Sequence, residues 1–425
     1  MRTHDRRKYS VSKEPFGIFL CGRFLSFFGL TETEMPSIMS KMNKIEAEKK
    51  IFREWMGVPG RRLSDQEVHS GPSDRGGVAS LARIVFPGED IADPAYLTWL
   101  YDHNPNGRAI ELVTKSGDAI TGHCAGVPLK YKIGAVVRPG CLAVNGMTHP
   151  DFRGRGIFGQ LYGEITRRSA NLGMDLTFGY PNSNSLQTCL RNLSYHDLGE
   201  LPIWIRVFDL SGALAARELK PGIFGRALAR FGNPILHLAA LLFRPRRRKR
   251  PMTIDKIREF GPEFDSFWNT AKNSYAHWLV RDSSFLNWRY IQCPTRHYEI
   301  WAARSNGRLV GFLVGRATDV GGVPWGMIVE LLALNSAEGT SAAGQLVGAF
   351  CRDAHSKGAV VAGSLMLKSD RASRALRQNG FIPCPKFLLP RRFKALVSWN
   401  NSIPAPEMLF NLSTWHMTLG DYDAA

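Results

Sequence analysis

Hydrophobic and polar positions follow the same order in two stretches of the chain. In the first, AITGHCAGVPL and CLAVNGMTH predict strands, the apolar period from Ile157 to Asn171 predicts a helix, and MDLTFGY predicts a buried strand. In the second, RLVGFLVG, MIVELLAL, a helix from Ala342 to Lys357 and AVVAGSLM return in that order. A second helix and a closing hairpin are expected to end each stretch. The pattern predicts a mixed α/β fold (α+β, with mixed sheets) that is built twice.

Matching landmarks indicate that the two stretches are copies of one unit. YLTWLYDHNP starts at Tyr96 and FLNWRYIQCP at Phe285, and the two segments carry Trp, Tyr and Pro at the same spacing. Such ordered self-similarity is the signature of a duplicated domain. The resulting domain prediction is an N-terminal extension over 1–76, a first domain over 77–215, a basic linker helix over 216–255, a second domain over 256–400 and a C-terminal tail over 401–425.

Length and charge narrow the class of protein. A chain of 425 residues is too long for one ordinary core and fits two domains. The net charge of +18 suits nucleic acid, an anionic membrane surface or phosphate-bearing ligands. Seven cysteines without a Cys-x-x-Cys pair argue against a disulfide framework and against a zinc site. We therefore expect a cytoplasmic protein without a metal.

Two segments outside the repeats raise the question of a membrane. PFGIFLCGRFLSFFGL, from Pro15, is interrupted by Arg23 and is too short to span a bilayer, so we interpret it as part of an extension. The linker ends in a basic run between Arg244 and Arg250. That run is either the solvated end of a linker helix or a peripheral contact with the anionic inner face of a membrane.

One loop distinguishes the first copy from the second. HPDFRGRGIFGQLYGEI, from His149, places Arg153, Gly154, Arg155 and Gly156 ahead of a predicted helix, whereas NSAEGTSAAGQLVGAF in the second copy has no arginine. Glycines let backbone N–H groups at a helix N-terminus approach an anion, and guanidinium groups match phosphate oxygens. The loop lacks the Gly-Lys-Ser/Thr of a P-loop and the Gly-x-Gly-x-x-Gly of a dinucleotide site. It predicts a pyrophosphate site in the first copy alone.

The segment THPDFRGRGIFGQLYGEI resembles the acetyl-CoA motif of the GNAT superfamily of N-acetyltransferases, Gln/Arg-x-x-Gly-x-Gly/Ala. Arg153 and Gly156 match this motif, and Phe158 stands where Gly or Ala is usual. The resemblance covers residues 77–210 strongly and 256–398 weakly. It implies two tandem GNAT-like domains, the second degenerate. The ending WHMTLGDYDAA resembles the tail of bacterial tandem GNAT proteins linked to modification of cell-surface polysaccharide or peptide.

The resemblance also implies which residues bind acetyl-CoA. Backbone groups at the end of the central strand, from Gly146 through Met147 to Thr148, would pair with the pantetheine arm. The following loop would cradle the pyrophosphate. Asn182 and Asn184 suit hydrogen bonds to the cofactor or the substrate, or they cap a helix. The residues of that loop are Arg153, Gly154, Arg155, Gly156, Ile157 and Phe158.

Candidates for proton transfer are less clear, because the usual GNAT positions for base and acid hold Asn145 and Leu190. The remaining candidates each have a structural alternative. His149 is a base or caps a turn, and Tyr180 is an acid or lines the cleft. Asp421 and Asp423 fold back into the cleft or lie in solvent. Glu330, near the base position of the second copy, is expected to be a structural carboxylate.

The resulting functional hypothesis is an acyl-CoA-dependent N-acyltransferase that moves an acetyl group from acetyl-CoA to a small-molecule, saccharide or peptide amine, including amines of the cell surface. One alternative is a FemABX-like transferase that uses aminoacyl-tRNA, which the positive charge would suit but the intact loop does not. We expect a nucleic-acid partner, a tRNA, only under this FemABX-like alternative. The other alternative, motivated by the missing acid and base, is a non-catalytic acyl-CoA-binding protein.

Overall fold

A long antiparallel hairpin forms the centre of each half of the chain in this computed structural model, which describes residues 68–70, 75–193, 195–209, 252–385 and 392–422. In the first half, β3 (Ala119–Ile133) turns at Gly134 into β4 (Val136–Thr148). In the second half, β11 (Arg308–Val320) turns at Gly321 and Gly322 into β12 (Val323–Ala333). All three turn glycines have a positive φ, which glycine adopts without steric cost.

The other elements follow these hairpins in chain order. Those of the first half are β1 (Val68–Ser70), α1 (Arg75–Val85), α2 (Pro94–Asp102), β2 (Ile110–Ser116), α3 (Ile157–Asn171), β5 (Leu176–Gly179), α4 (Ser183–Asn192), β6 (His196–Glu200) and β7 (Ile203–Val207). Those of the second half are β8 (Thr253–Ile257), α5 (Glu263–Ala271), β9 (His277–Leu279), α6 (Ser283–Tyr290), β10 (Glu299–Ser305), α7 (Ala337–Ser356), β13 (Val361–Leu365), α8 (Ser373–Gln378), β14 (Ile382–Pro383), β15 (Lys394–Trp399) and α9 (Leu419–Tyr422).

These strands form two mixed sheets, which confirms the predicted fold class. The first sheet has the order β1-β2-β3-β4-β5-β15-β6, with β9 also paired to β3. The second has the order β14-β7-β13-β12-β11-β10-β8. The pairs β4–β5 and β12–β13 are parallel, and the other described pairs are antiparallel. In each half a helix, α3 or α7, makes the crossover between the two parallel strands.

The two halves exchange strands. β7, from the first half, lies between β13 and β14, whereas β9 and β15, from the second half, pair with strands of the first sheet. The predicted closing hairpin of the first copy is therefore wrong, since β6 pairs with β15 and β7 with β13. Only Leu201 and Pro202 separate β6 from β7, and the favoured two-residue hairpin turns need a positive φ at the first of the two residues, which leucine rarely adopts. Neither half is a self-contained sheet.

Tryptophans at equivalent positions of the repeat join the halves. Trp99 on α2 and Trp288 on α6 stack with ring centroids 5.0 Å apart. Trp99 Nε1 donates to the carbonyl of Trp288 at 2.9 Å, and Trp288 Nε1 donates to the carbonyl of Trp99 at 3.3 Å. Both side chains are buried in a core cluster that draws residues from both halves. The contact therefore has the approximate two-fold symmetry that the duplication implies.

Several predicted boundaries can be compared with the described elements. The predicted helix Ile157–Asn171 is confirmed, and the second-copy helix begins earlier, at Ala337, because Ser336 caps it. Val68–Ser70, in the predicted extension, pairs with β2, and Thr253–Ile257, at the end of the predicted linker, pairs with β10. The basic run Arg244–Arg250 lies outside the described residues. No helix in the described ranges is long and apolar enough to cross a membrane.

Replacing Trp288 by alanine should lower the free energy of unfolding by about 3–5 kcal/mol, the cost of truncating a buried aromatic side chain. Because exchanged strands join the sheets, the loss of stability should appear in one cooperative transition. Urea unfolding monitored by circular dichroism measures it. The control Leu172→Ala, at a side chain 66% exposed, should change the value by less than about 0.5 kcal/mol. Two separate transitions would contradict the interdependence of the halves.

Candidate functional site

Strands β4 and β5 separate at the centre of the first sheet. Their parallel pairing runs from Gly140–Leu176 to Ala143–Gly179 and then stops, while β4 continues to Thr148. The Tyr162 hydroxyl, from α3, lies at the point of separation, where it donates to the carbonyl of Ala143 at 3.1 Å. A Cβ at Gly179 would lie 2.8 Å from that hydroxyl, so any other residue there would have to displace the Tyr162 side chain. Beyond this point β4 has an edge that β5 does not cover, and an extended ligand can pair with it.

A β-bulge interrupts β4 along that edge. The register between β3 and β4 shifts between His123 and Ala125, and Asn145 opposite them has a φ of 56°. The Asn145 side chain donates to the Tyr101 hydroxyl at 2.7 Å. Asparagine tolerates this backbone conformation better than most residues. Residue 145, the usual GNAT position for the base, is therefore an amide that is committed to a structural hydrogen bond.

The loop after β4 ends in an uncapped helix N-terminus. Gly154 and Gly156 both have a φ of 81°, and Gly156, the N-cap of α3, provides no side-chain hydrogen bond to the first turn. The backbone N–H groups of the first turn of α3 therefore have no side-chain partner, and they lie at the positive end of the helix dipole. Arg153 and Arg155 are both exposed, and Arg155 donates to the carbonyl of Asp151 at 3.2 Å. The loop provides N–H donors and two exposed guanidinium groups for an anion.

Phe158, the departure from the motif, packs against the bulge. Its ring stacks on Tyr162 at 4.9 Å between centroids, and a Cβ at Gly146 would lie 2.8 Å from it. The aromatic ring is thus accommodated because residue 146 is a glycine. Phe158 lies beside the edge of β4, and the N–H groups at the start of α3 remain uncapped.

The other predicted cofactor-binding residues differ in what they can offer. Met147 and Ile157 are buried in the core, so their backbone groups alone could reach a ligand. The Thr148 hydroxyl is buried and has no hydrogen-bond partner among the described residues. A bound ligand could provide that partner. Asn184 donates its backbone N–H to Asn182, the N-cap of α4.

Of the proton-transfer candidates, His149 caps a turn. Its Nδ1 accepts from the Asp151 N–H at 3.3 Å, at the start of a 3-10 turn. Tyr180 follows β5 and is half-buried, with its ring 5.0 Å from that of Tyr422. Burial and the nearby Asp421 carboxylate raise the pKa of Tyr180 well above its usual value, so its hydroxyl remains protonated near neutral pH. Leu190 packs in the apolar cluster beneath α3.

The C-terminal tail folds back into the molecule. Asp421 is 7% exposed, and its Oδ2 lies 2.9 Å from Arg281 Nη2 and accepts from the Thr418 N–H at 2.8 Å. Asp421 is therefore buried in an ion pair and does not lie in solvent. Asp423 lies outside the described residues.

Glu330 is a structural carboxylate, as expected. It is fully buried and accepts hydrogen bonds from Arg281 Nε at 2.6 Å, from the Tyr290 hydroxyl at 3.1 Å and from the Thr418 hydroxyl at 2.8 Å. Burial alone would lower the pKa of Arg281, but the carboxylates of Asp421 and Glu330 raise it. The guanidinium therefore stays charged and fixes both carboxylates in place.

This network places the tail where the second sheet opens. The parallel pairing of β12 with β13 ends at Ile328–Ser364, and Thr418 then forms an antiparallel bridge with Met366, just after β13. Gly420 also lies close to Glu330 on β12, since a Cβ there would be 2.8 Å from the Glu330 carboxylate. The gap that corresponds to the open edge of β4 is therefore occupied by the chain itself.

The helix N-terminus of the second half is closed as well. The Ser336 side chain accepts from the Gly339 N–H at 3.0 Å, which caps α7, and Glu338 lies in the first turn. A cap uses donors that α3 leaves available, and a carboxylate at this place repels a phosphate. The two halves thus share a fold but differ at both places where a nucleotide-linked ligand would bind.

Several residues of the region were not predicted from sequence. Tyr101, His123, Tyr162, Arg281 and His416 lie in ordinary strand, helix or tail patterns, and their partners are distant along the chain. His123, in AITGHCAGVPL, has no local signal that separates it from a core histidine. Their roles follow from tertiary contacts alone.

Both halves contain a pair of splayed parallel strands joined by a crossover helix, and the chain has the GNAT fold of the solved structures to which it is similar. Among solved structures, the chain is similar to a probable N-acyltransferase from Enterococcus faecalis, with 13% identity over 79% of this chain and 73% of the other and a TM-score of 0.54. It is also similar to a GCN5-related N-acetyltransferase from Anabaena variabilis, with 11% identity, coverage of 79% and 73%, and a TM-score of 0.53.

A third similar structure is Saccharomyces cerevisiae N-myristoyltransferase with bound myristoyl-CoA, at 11% identity, coverage of 82% and 86%, and a TM-score of 0.55. No protein-family model matches the chain, and neither does any curated protein sequence. At these identities, the comparisons establish the fold. Because they cover about four-fifths of the chain, they establish it for the two-half arrangement as a whole.

The tail network also predicts a dependence of stability on pH. Burial would lower the pKa of His416, but Asp370, which bonds its Nδ1, and the Glu330 and Asp421 carboxylates together raise it. A histidine whose pKa is raised by folding stabilises the protein fully below its unfolded pKa of about 6.5, and this contribution is lost as pH rises through the folded pKa.

The stability difference between wild type and His416→Gln should therefore shrink as pH rises from 5.5 to 9, measured by urea unfolding at each pH. In an Asp370→Asn background the trend should be much weaker, because that variant removes the carboxylate bonded to the imidazole. A difference that does not vary with pH would show that folding leaves the pKa of His416 unchanged, and a difference that grows with pH would show that folding lowers this pKa.

Proposed function

We propose that the protein is an acyl-CoA-dependent N-acyltransferase that binds its acyl donor in the first half. The observation that carries this proposal is the contrast between the halves. The first half has an open β4 edge beside an uncapped helix N-terminus, whereas the second half has its own tail and its own cap at the same places. One binding site per chain follows from this contrast.

The residues of the first half fit a coenzyme A thioester. The pyrophosphate would lie on the N–H groups at the start of α3, where the helix dipole favours an anion, with Arg153 as an additional charge-assisted donor. The pantetheine amides would pair with the edge of β4 between Gly146 and Thr148. The buried Thr148 hydroxyl, which has no partner among the described residues, would find one in this arm.

We propose an acetyl group as the acyl group and an amine of a small molecule, sugar or peptide, including those of the cell surface, as the acceptor. The solved structures of similar fold include proteins described as an N-acetyltransferase and as an N-myristoyltransferase. A direct comparison of acetyl-CoA with longer acyl-CoA thioesters therefore belongs in the first binding experiment.

The reaction also needs groups that handle protons. The acceptor amine must lose a proton as its nitrogen attacks the thioester carbonyl, and the departing thiolate must gain one. Tyr180 is the best candidate for the acid, because its hydroxyl is protonated near neutral pH and it follows β5 at the open edge. Asp421 is ion-paired with Arg281, so its carboxylate is charged. We propose that this charge orients the acceptor amine. Holding the acyl-CoA and the amine close together in a reactive orientation increases the rate further.

Calorimetric titration with acetyl-CoA should give one site per chain. Arg153→Glu should weaken binding by about 1.5–3 kcal/mol, the scale of a charge-assisted hydrogen bond. The control Arg308→Glu makes the same change of charge at an exposed arginine of the second half and should bind like wild type. Two equivalent sites would contradict the assignment to the first half. Binding of aminoacyl-tRNA without binding of any acyl-CoA would overturn the proposed function in favour of the tRNA-dependent alternative.

Tyr180→Phe should lower kcat by about 10²-fold and leave the affinity for acetyl-CoA unchanged, because it removes one proton donor and keeps the ring. Release of coenzyme A with a panel of amines provides the assay. Tyr195→Phe is the matched control, since its hydroxyl bonds Thr166 on α3, and it should retain the wild-type kcat. Full turnover by Tyr180→Phe would remove Tyr180 from the mechanism.

A further inference from the structure

A buried histidine contacts the bulge of β4 from the neighbouring strand. His123 lies on β3, is fully buried, and has its Nδ1 3.0 Å from the carbonyl oxygen of Asn145. A backbone carbonyl only accepts hydrogen bonds, so Nδ1 must carry the proton. The Nε2 atom is then a bare acceptor, and it has no hydrogen-bond partner among the described residues.

The environment keeps this imidazole neutral. Burial, with a contribution from the Arg75 guanidinium, lowers the pKa of His123 to about 4. The Tyr101 ring stacks on His123 at 5.9 Å, and the Tyr101 hydroxyl accepts from the Asn145 side chain. Asn145 is therefore held twice, at its backbone carbonyl by His123 and at its side chain by Tyr101.

Holding the carbonyl of Asn145 also sets the direction of the next N–H. In a trans peptide unit the C=O and the following N–H point in opposite directions, and no described peptide bond is cis. With the carbonyl facing His123, the Gly146 N–H faces away from it. Asparagine tolerates the positive φ of residue 145 at a small cost, and the hydrogen bonds from His123 and to Tyr101 hold this peptide orientation.

We propose that His123 is a positioning residue that, through its Nδ1–H, holds the Asn145–Gly146 peptide in the orientation that the acyl-CoA arm needs. This inference rests on the proposed function, because it assigns the acyl-CoA arm to the edge of β4. His123 acts through the backbone, and its Nε2 takes no proton during the reaction. The role requires a hydrogen-bond donor at this position and no titratable group.

Two substitutions separate these requirements. In His123→Asn, the side-chain amide can place an N–H near the position of Nδ1, so the bond to Asn145 is kept while the imidazole is lost. In His123→Leu, an apolar side chain fills the space and the donor is lost. Leu112→Ala, at a buried residue of β2 that packs beneath α3, is a control for general destabilisation.

The experiment measures the Kd for acetyl-CoA, kcat, KM and the pH profile of kcat for the wild type and these variants, with thermal melting to verify folding. We expect His123→Leu to raise the Kd and KM for acetyl-CoA about 10-fold or more, the effect of losing one buried hydrogen bond. His123→Asn should restore both constants to within about 3-fold of wild type and keep the wild-type pH profile, and Leu112→Ala should leave both constants unchanged.

Three outcomes would overturn the inference. His123→Leu with wild-type Kd and KM would show that the bond to Asn145 is not needed. His123→Asn with normal binding but a kcat as low as that of His123→Leu would make Nε2 a proton acceptor instead. Equal weakening in Leu112→Ala would reduce the effect to stability. Failure of the wild type to bind any acyl-CoA would instead contradict the proposed function, so the two failures are distinguishable.

Discussion

The buried ion network around Arg281 determines how the two halves of the molecule can be used. A guanidinium that is 1% exposed must keep its carboxylates, because an uncompensated charge in the interior costs several kcal/mol. Glu330 on β12 provides one carboxylate and Asp421 in the tail provides the other. The tail is thereby fixed where the second sheet opens, and its last described residue, Tyr422, lies against Tyr180 of the first half.

The duplication has therefore kept one fold and given it two uses. Gly156 leaves the N-terminus of α3 uncapped, while Ser336 and Glu338 close the N-terminus of α7. The exchanged strands β7 and β15 and the stacked pair Trp99–Trp288 prevent the halves from separating. The second half then supports the first, since its tail reaches the open edge of the first sheet.

The sequence predicted the features that depend on local spacing. The glycine loop, the helix Ile157–Asn171 and the loss of the loop in the second copy follow from residue types at fixed intervals. The exchange of β7 and β15 could not be predicted, because partners of equal hydrophobic pattern compete and tertiary contacts choose among them. His123 was missed for a similar reason, since a histidine in a buried strand carries no local signal of the bond to Asn145. Asp421 was a candidate for proton transfer on sequence grounds. Its ion pair with Arg281 could not be predicted, because the two residues are 140 positions apart in sequence.

The central claim is that coenzyme A binds in the first half while the tail closes the second. A crystal structure of the chain with coenzyme A tests this most directly. We predict density for the pantetheine arm along β4 between Gly146 and Thr148, for the pyrophosphate at the N-terminus of α3, and for a tail that still bridges Thr418 to Met366. Coenzyme A between β12 and β13, with the tail displaced, would contradict the account.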